Sequence, residues 1–324
     1  YFLVYLKKRK HNMLKQLIIM EGLSHSGKTT VINELKNKFD HKVLVLNTPN
    51  SKDLEEIEEY FISKIDALNP EKDAYIINNT KVSLEVLQQA KKSVANSFDR
   101  LRNGVKKNNF SKQMTAEDYI NLNKDGVDAP YLALVMEVAS IVSSKTTQLK
   151  ALVDMVNFFD QDVTIIVDRF IGSSFAYGPV DIIDMVKNPK KYQFRLDRSH
   201  ERDVLITALS RLHSTHDFLN WVALTQAPVL PFFLECPLEE RKRRSGNVTP
   251  NDESDKEFDK TSLEFDQIMR NKYHHYMVKF SEDCSYFNPD IYDYFVLPTV
   301  SVEQTVDNII DILNNKEQYK VTDL

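Results

Sequence analysis

Short apolar runs separated by longer amphipathic segments follow one another along most of this chain. Runs of roughly five apolar residues without polar alternation are typical of strands buried on both faces. Segments in which apolar residues recur every three or four positions are typical of helices packed on a sheet. The pattern predicts strands at 16–20, 42–46, 163–167, 229–234 and 293–297. It predicts helices at 29–39, 53–68, 80–103, 130–159, 199–221, 238–244, 261–280 and 302–314.

Strands that alternate with helices predict a parallel sheet with helices on both faces. The predicted fold class is therefore α/β, a three-layer sandwich around a five-stranded parallel sheet. Pro231 cannot donate a ladder hydrogen bond, so it predicts a bulge or an edge position for the fourth strand. Ligands of such sheets bind beyond the carboxyl ends of the strands. Those ends are 21–29, 47–51, 168–178 and 235–237.

The polar stretches predict one main domain with additions. Met13 is expected as the start of the folded part, because the first predicted strand begins three residues later. Residues 1–12 are then an N-terminal extension, and residues 13–324 are predicted to form a single domain. Within it we expect a helical insertion around 70–128 and a mobile lid, the LID, around 241–260.

Composition and charge argue against several classes of function. The net charge is −5, whereas domains that coat nucleic acid are usually basic, so no stable nucleic-acid partner is expected. No apolar run approaches the roughly 18 residues of a membrane helix, so no membrane partner is expected either. The two cysteines, Cys236 and Cys284, form no CxxC pair. This argues against zinc and a redox dithiol and favours a reducing, cytoplasmic location.

The scarce glycines point to one loop. The chain has seven glycines, and Gly22 and Gly27 frame a match to GxxxxGK[ST] between a predicted strand and a predicted helix. Glycines let the backbone wrap a phosphate with its N–H groups pointing inward, and the following helix directs its positive end there. Lys28 is expected to reach the β- and γ-phosphates of ATP, and Thr29 to ligate Mg²⁺. The backbone of His25 is expected to matter more than its ring. The expected ATP-binding residues are Gly22, Ser24, His25, Ser26, Gly27, Lys28, Thr29 and Thr30.

A second group of polar residues follows the third predicted strand. Asp168 ends that strand, at the place of a Walker-B-type carboxylate that holds Mg²⁺ directly or through water. Arg169 beside it can bind a phosphate with two hydrogen bonds. A surface Asp–Arg pair at a strand end is the alternative interpretation.

The two motifs together resemble those of thymidylate kinases, within the wider nucleoside and nucleoside-monophosphate kinases. The first signature of that family, an acidic residue before the loop and GKTT within it, resembles Glu21-Gly22 and 27–30 of this chain. The second, DR(Y/H)xxSxxAYQ, is similar to 168–178. That segment has Asp168, Arg169, Phe170, Ser173, Ala176 and Tyr177 at the family positions, with Gly178 where the glutamine stands. The resemblance covers about 13–50 and 160–315.

The resemblance implies a P-loop NTPase fold with a mobile LID, and roles for further residues. The implied catalytic residues are Lys28, Asp168, Arg169 and Arg243. Of these, Arg243 matches the LID arginine that lies over the ATP adenine and approaches the phosphates. The alternative is that 241–244 are a solvated helix end. The implied acceptor-binding residues are Pro49, Arg169, Phe170, Ser173 and Tyr177, where Arg169 binds the 5′-phosphate. The resemblance further implies a homodimer whose interface is formed by helices.

The implied reaction is phosphoryl transfer from ATP to dTMP, giving dTDP and ADP, with Mg²⁺ as the metal. The chain departs from the family before the third strand, where 135–139 show neither the base-stacking aromatic nor the arginine and Lys145 is a weak substitute. A deoxynucleoside kinase on the same scaffold is the alternative. It needs a general base for its hydroxyl acceptor, and Glu21 or Asp168 are nearest. A nucleotide-binding protein without turnover is the third interpretation.

Overall fold

The computed structural model describes residues 14–47, 51–67, 74–77, 80–89, 91–92, 95, 145–146, 148–150, 152–153, 156, 162–176, 227–245, 263–285 and 294–319. The strands are β1 (Leu14–Glu21), β2 (Lys42–Asn47), β3 (Ala74–Ile77), β4 (Thr80–Ser83), β5 (Val163–Asp168), β6 (Val229–Glu235) and β7 (Phe295–Pro298). The helices are α1 (Lys28–Lys38), α2 (Ser51–Asp66), α3 (Ile171–Ala176), α4 (Leu238–Ser245), α5 (Leu263–Ser285) and α6 (Val302–Asn314), followed by a 3₁₀ turn at Lys316–Tyr319. Residues 84–89 are also helical.

Five parallel strands form one sheet in the order β2-β5-β1-β6-β7, as predicted. The apolar runs form these strands because both faces are covered: every residue of β5 is buried, and Lys15 is the one exposed residue of β1. β1 lies at the centre, between β5 and β6. The register places Asp168 opposite Met20 and Phe233 opposite Glu21. The polar residues that follow these strands therefore meet at one edge of the sheet.

Helices cover both faces of the sheet. Neighbouring residues of a strand point to opposite faces, and Phe232 and Phe233 of β6 accordingly belong to different hydrophobic clusters. Phe232 packs in the cluster that contains Leu35 of α1 and Ile309 of α6. Phe233 packs in the cluster that contains Tyr273 of α5. The predicted three-layer α/β sandwich is thereby confirmed.

Helix α6 begins at a side-chain cap, Ser301. Ser301 Oγ accepts a hydrogen bond of 3.1 Å from the backbone N–H of Gln304. This satisfies one of the N–H groups that have no partner inside a helix. Val306 and Ile309 recur at helical spacing and are buried, so the spacing identified the face that packs on the sheet.

The start of the helix predicted over 80–103 is wrong. Thr80–Ser83 pair antiparallel with Ala74–Ile77 in a two-stranded hairpin, and the helix begins at residue 84. Thr80 and Val82 are β-branched, which favours a strand, while Val82 also fits the helical spacing of the residues after it. The insertion predicted as helical around 70–128 therefore contains a β-hairpin in its described part.

Pro231 lies in a strand that has neighbours on both sides. The ladder between β1 and β6 has no register shift, so the expected bulge is wrong. Leu17 N–H donates to Pro228 O at 2.8 Å, and backbone groups alternate in direction along a strand, so the nitrogen of Pro231 faces the β7 side. The β7 ladder begins only at Phe232. Pro231 thus occupies a locally unpaired side of an interior strand.

Several predicted segments lie outside the described residues: the extension 1–12, the helix over 199–221 and the LID from 246 to 260. The described residues between 145 and 156 are helical, within the helix predicted over 130–159. Among the helices that the structure does describe, none combines the length and the apolar composition needed to cross a membrane.

Candidate functional site

The loop 22–27 joins the carboxyl end of β1 to the start of α1. Gly22 has a φ of 148° and Gly27 a φ of 91°, which residues with a side chain rarely adopt. A Cβ on Gly22 would also lie 2.8 Å from Leu234 O, so the loop lies directly against β6. His25 has a φ of 59°, which also lies in the left-handed region. The loop conformation therefore requires glycine at both positions of the motif.

Lys28 turns back into this loop. Its side chain is 5% exposed, and Nζ donates to Gly22 O at 2.8 Å, Leu23 O at 2.8 Å and Ser26 Oγ at 3.2 Å. Burial, reinforced by the Arg169 guanidinium, lowers the pKa of Lys28 well below its ordinary range. A phosphate bound in the loop would offer this ammonium an opposite charge and favour its protonated form.

Asp168 lies beside the start of α1, because β5 pairs with β1 and the register sets Asp168 opposite Met20. Its Oδ2 accepts hydrogen bonds of 3.3 Å from the Thr29 hydroxyl and 3.3 Å from Asn47 Nδ2. Its Oδ1 is buried and has no hydrogen-bond partner among the residues that the structure describes. An unpaired buried carboxylate oxygen next to a hydroxyl is a donor set that suits a hard cation, so these residues fit the Mg²⁺ expected from the motif.

Arg169 begins the turn after β5 and has a strained backbone. Its φ is 62°, a left-handed conformation that costs about 1–2 kcal/mol for a residue with a side chain. Its backbone N–H donates to Met20 O at 3.0 Å, and its Nη2 donates to Ser24 Oγ at 3.4 Å. The turn therefore directs the guanidinium toward the phosphate-binding loop.

Glu21, the last residue of β1, is fully buried behind this turn. Its Oε1 accepts from Ser173 N–H at 3.1 Å, while Oε2 is buried and has no hydrogen-bond partner within the described part of the chain. Burial raises the pKa of Glu21, and the Lys145 charge is the largest effect that opposes it. A Cβ on Gly172 would lie 2.9 Å from Glu21 Oε1, so a glycine leaves room for the carboxylate at the start of α3.

Lys145 takes part in the site, although its position in the sequence gave it only a weak role. It lies on the helical segment before β5 and donates from Nζ to Arg169 O at 2.7 Å and Phe170 O at 3.0 Å. A third, longer hydrogen bond of 3.4 Å goes to Ser173 Oγ. Burial lowers the pKa of Lys145 to about 8.

Helix α4 brings two arginines against the loop. Arg244 Nη1 donates to Ser26 O at 3.1 Å, and Arg241 Nη1 donates to Ser24 O at 3.3 Å. Both contacts are made to backbone carbonyls of the loop 22–27. The two arginines are three residues apart, so they share one face of the helix.

Arg243 lies on a different face of α4 and has an exposed side chain. Two hydrogen bonds of 2.7 Å join its guanidinium to Glu240. These bonds, and a further one from Arg244, lower the pKa of Glu240 to about 2. The role expected for Arg243 over the adenine stays a prediction.

Arg241 is fixed by a buried charge network. Its side chain is 2% exposed and forms an ion pair with Asp266 of α5. The other oxygen of Asp266 accepts from Arg270 at 2.9 Å, and Arg270 in turn pairs with Glu235 at 2.6 Å and with Cys236 O at 2.6 Å. The network ties α4, α5 and the end of β6 together next to the loop.

The remaining predicted residues divide into three groups. Thr30 is exposed on the first turn of α1. Phe170 and Ser173 are buried, and the Ser173 hydroxyl donates to Phe170 O at 2.8 Å. Pro49 and Tyr177 lie outside the described residues.

Asn47 was not assigned to the site from the sequence, Lys145 was given only a weak role, and Arg241 and Arg244 were not told apart from the rest of the run 241–244. Asn47 lies in the segment 47–51, which the rule about carboxyl ends had marked. The two arginines lie in the basic run 241–244, where no feature of the sequence separates one arginine from the next. Lys145 had no local signal beyond its place in an apolar helix.

Comparison with known proteins found neither a matching protein-family profile nor a matching curated protein. Among solved structures, the chain is similar to thymidylate kinase from Candida albicans, at 15% identity over 95% of each chain, with a TM-score of 0.36. It is similar to deoxyadenosine kinase from M. mycoides, solved with dCMP and dCDP bound, at 13% identity over 93% of this chain and 100% of that one, with a TM-score of 0.38. A sugar kinase from a Janibacter species matches at 11% identity over 93% and 95% of the two chains, with a TM-score of 0.29. At these values none of the matches assigns a function. The chain's own parallel sheet and glycine loop show a P-loop kinase-like fold.

Proposed function

We propose that this protein is a nucleotide kinase that transfers the γ-phosphoryl group of ATP to a nucleoside monophosphate, with dTMP as the acceptor that its motifs favour. The observation on which this rests is the meeting of Asp168 with Thr29 at the end of the glycine loop. One oxygen of that buried carboxylate has no hydrogen-bond partner in the segments that the structure describes. A phosphate cradle alone is found in many proteins, but a cradle beside a carboxylate suited to a cation is arranged for a metal–triphosphate complex.

The donor side consists of the loop and the residues that begin α1. Backbone N–H groups of 22–27 and the start of α1 would surround the β-phosphate of ATP. Lys28 would exchange its hydrogen bonds to the carbonyls of Gly22 and Leu23 for the phosphate oxygens. Thr29 and Asp168 would hold Mg²⁺, which when bound neutralises charge on the phosphate oxygens.

The acceptor side consists of the turn after β5. Arg169 can hold an acceptor phosphate bidentately, and its guanidinium already faces the loop at Ser24. An oxygen of the acceptor phosphate attacks the γ-phosphorus, the bond from that phosphorus to the β–γ bridging oxygen breaks, and ADP leaves. A phosphate nucleophile needs no general base, so positioning and charge neutralisation supply most of the acceleration.

Helix α4 contributes positive charge on the third side. Arg244 donates to Glu240 Oε1 and to the backbone carbonyl of Ser26. Ser26 is itself a residue of the loop 22–27. Arg241 is buried and fixed. We therefore assign the charge that faces the transferred group to Arg244, and the support of the loop to Arg241.

The proposal is tested by measuring ATP consumption against a panel of nucleoside monophosphates and nucleosides. We expect turnover with dTMP or a related monophosphate, and a loss of about a hundredfold in kcat/KM on Arg169→Met, because a charge-assisted contact is removed. Arg169→Lys keeps the charge without the planar fork, so it should retain an intermediate activity. Equal turnover of nucleosides and monophosphates would reject a monophosphate kinase.

A deoxynucleoside kinase is the second candidate, and Glu21 favours it. Its Oε2 is buried beside the acceptor turn and has no hydrogen-bond partner among the described residues. Burial raises the pKa of Glu21, as suits a group that takes up a proton. In that reaction the 5′-hydroxyl oxygen attacks the γ-phosphorus and its proton passes to Glu21. Glu21→Gln would then abolish turnover of nucleosides. If monophosphates are the substrates, the same variant should keep most of its kcat.

A further inference from the structure

One buried ammonium group has no part in the reaction steps above. Lys145 is buried on the helical segment before β5. A lysine has three N–H donors, and Lys145 directs them to Arg169 O, Phe170 O and Ser173 Oγ, at 2.7, 3.0 and 3.4 Å. All three donors are therefore directed at the turn after β5 and the start of α3.

The carbonyls that Lys145 binds belong to a turn under strain. Arg169 has a φ of 62°, and residues held in this region persist only where their surroundings fix them. One side of the turn is fixed by the hydrogen bond from Arg169 N–H to Met20 O. Lys145 fixes the other side, because it binds the carbonyls of Arg169 and of the next residue. The backbone is thus held from β1 and from the helix at the same point.

The charges around Lys145 explain why a lysine suits this position. Hydrogen bonds from an ammonium are stronger than those from a neutral donor. Glu21 and Asp168 favour the charged form of Lys145, whereas burial and the Arg169 guanidinium oppose it. A neutral apolar side chain of the same length would remove the ammonium donor to Arg169 O and one of the two donors to Phe170 O, and lost hydrogen bonds of a charged group are costly.

We propose that Lys145 is a positioning residue, which holds the 168–170 turn so that the Arg169 guanidinium is directed at the acceptor phosphate. This inference rests on the proposed function for its consequence in catalysis. Lys145 itself does not contact the substrate. Its effect should therefore appear in the use of the acceptor and disappear when Arg169 has already been removed.

The test is a double-mutant cycle on acceptor kinetics with Lys145→Met, Arg169→Met and the double variant. Lys145→Met should raise KM for the acceptor by about tenfold or more, while the Kd of Mg·ATP, measured without acceptor, changes by less than about twofold. The double variant should be no worse than Arg169→Met alone, because the two residues act as one unit. Lys150→Met, on the exposed side of the same helical segment, is the matched control and should behave as wild type.

Two results overturn the inference. One is wild-type acceptor kinetics in Lys145→Met. The other is a double variant whose loss equals the product of the two single losses, since Lys145 then acts independently of Arg169. If Lys145→Met does not fold, Lys145→Gln keeps an N–H donor at shorter reach and goes through the same cycle with the same two outcomes.

Hydrogen exchange separates this inference from the proposed function. Lys145→Met should speed exchange of the amides of Arg169 and Ser173, which donate to β1. Exchange of the Thr305 amide in α6, on the other face of the sheet, should not change. A wild-type protein without turnover on any acceptor rejects the kinase, yet leaves this measurement valid. Unchanged exchange at Arg169 and Ser173 rejects Lys145 as the support of the turn, whatever the activity.

Discussion

The Thr29 hydroxyl donates a hydrogen bond of 3.3 Å to Asp168 Oδ2, although the two residues are 139 positions apart in the chain. The pair forms because β5 lies next to β1 and the register sets Asp168 opposite Met20. The loop 22–27 leads from the end of β1 into α1, whose second residue is Thr29. Two motifs that are separate in the sequence are thereby joined into one site.

Removing the Asp168 charge should impair the metal–nucleotide complex more than the fold. For Asp168→Asn we expect kcat to fall by about a hundredfold or more, because a preorganised charge is lost. The Mg²⁺ concentration for half-maximal turnover should also rise. The measurement is a Mg²⁺ titration of initial rates. Asp162→Asn is the control, because Asp162 is exposed and lies immediately before β5. Equal kinetics of the two variants would contradict the assignment of Asp168 as a metal ligand.

Lys28 should contribute to ATP affinity through its charge. Lys28→Met removes hydrogen bonds of a charged group, worth about 1.5–3 kcal/mol, so the Kd of Mg·ATP should rise by about 10- to 100-fold. Isothermal titration calorimetry gives this Kd directly. Lys38→Met, at the exposed end of the same helix, should bind as wild type. An unchanged Kd in Lys28→Met would remove the basis of the donor site.

The buried pair of Arg241 and Asp266 should be important for stability. Asp266→Asn removes the carboxylate that pairs with Arg241 and one of the two carboxylates that pair with Arg270, and breaking a buried ion pair costs about 3–5 kcal/mol. Urea unfolding measures the free energy of unfolding. Asp307→Asn, exposed on α6, should change it by less than about 0.5 kcal/mol. A stability equal to wild type in Asp266→Asn would show that the network is compensated elsewhere.

Lys272 should make stability rise with pH. Burial lowers its pKa in the folded state to about 7, whereas the unfolded chain keeps the lysine protonated to much higher pH. Above pH 7 the unfolded state binds more protons than the folded one, so the free energy of unfolding increases with pH.

The variant Lys272→Met lacks this proton. The free energy of unfolding of Lys272→Met minus that of wild type should be largest below pH 7 and should decrease by about 1–3 kcal/mol by pH 9. Urea unfolding of both proteins at pH 6, 7.5 and 9 tests this. A difference between them that stays constant across the three pH values would contradict the prediction.

The elements of the site that follow from local sequence were predicted. The glycine loop is local, because φ at Gly22 and Gly27 and the start of α1 depend on neighbouring residues. The five strands were predicted because each is a short and mostly apolar run. The hairpin at Ala74–Ser83 was missed, since its few residues fit both a helical and a strand pattern until a partner strand is present.

The choice among neighbouring basic residues could not be made from the sequence. Successive residues of a helix are rotated by about 100°, so Arg241 and Arg244 share a face while Arg243 points elsewhere. Only the packing of α4 on the loop decides which face is turned inward. The same holds for Lys145, whose helix gives no sign of which neighbour it will meet.

The sequence by itself determined the phosphate loop, the strand-end aspartate and the alternation of strands and helices, because each is specified by residues within a few positions of one another. The tertiary structure decided the order of the strands and the rotation of the helices about their axes. That order places Asn47 beside Asp168, and that rotation turns Arg241, Arg244 and Lys145 inward. These contacts depend on packing between distant segments, whose energy is shared among many residues and appears in no short stretch of the chain.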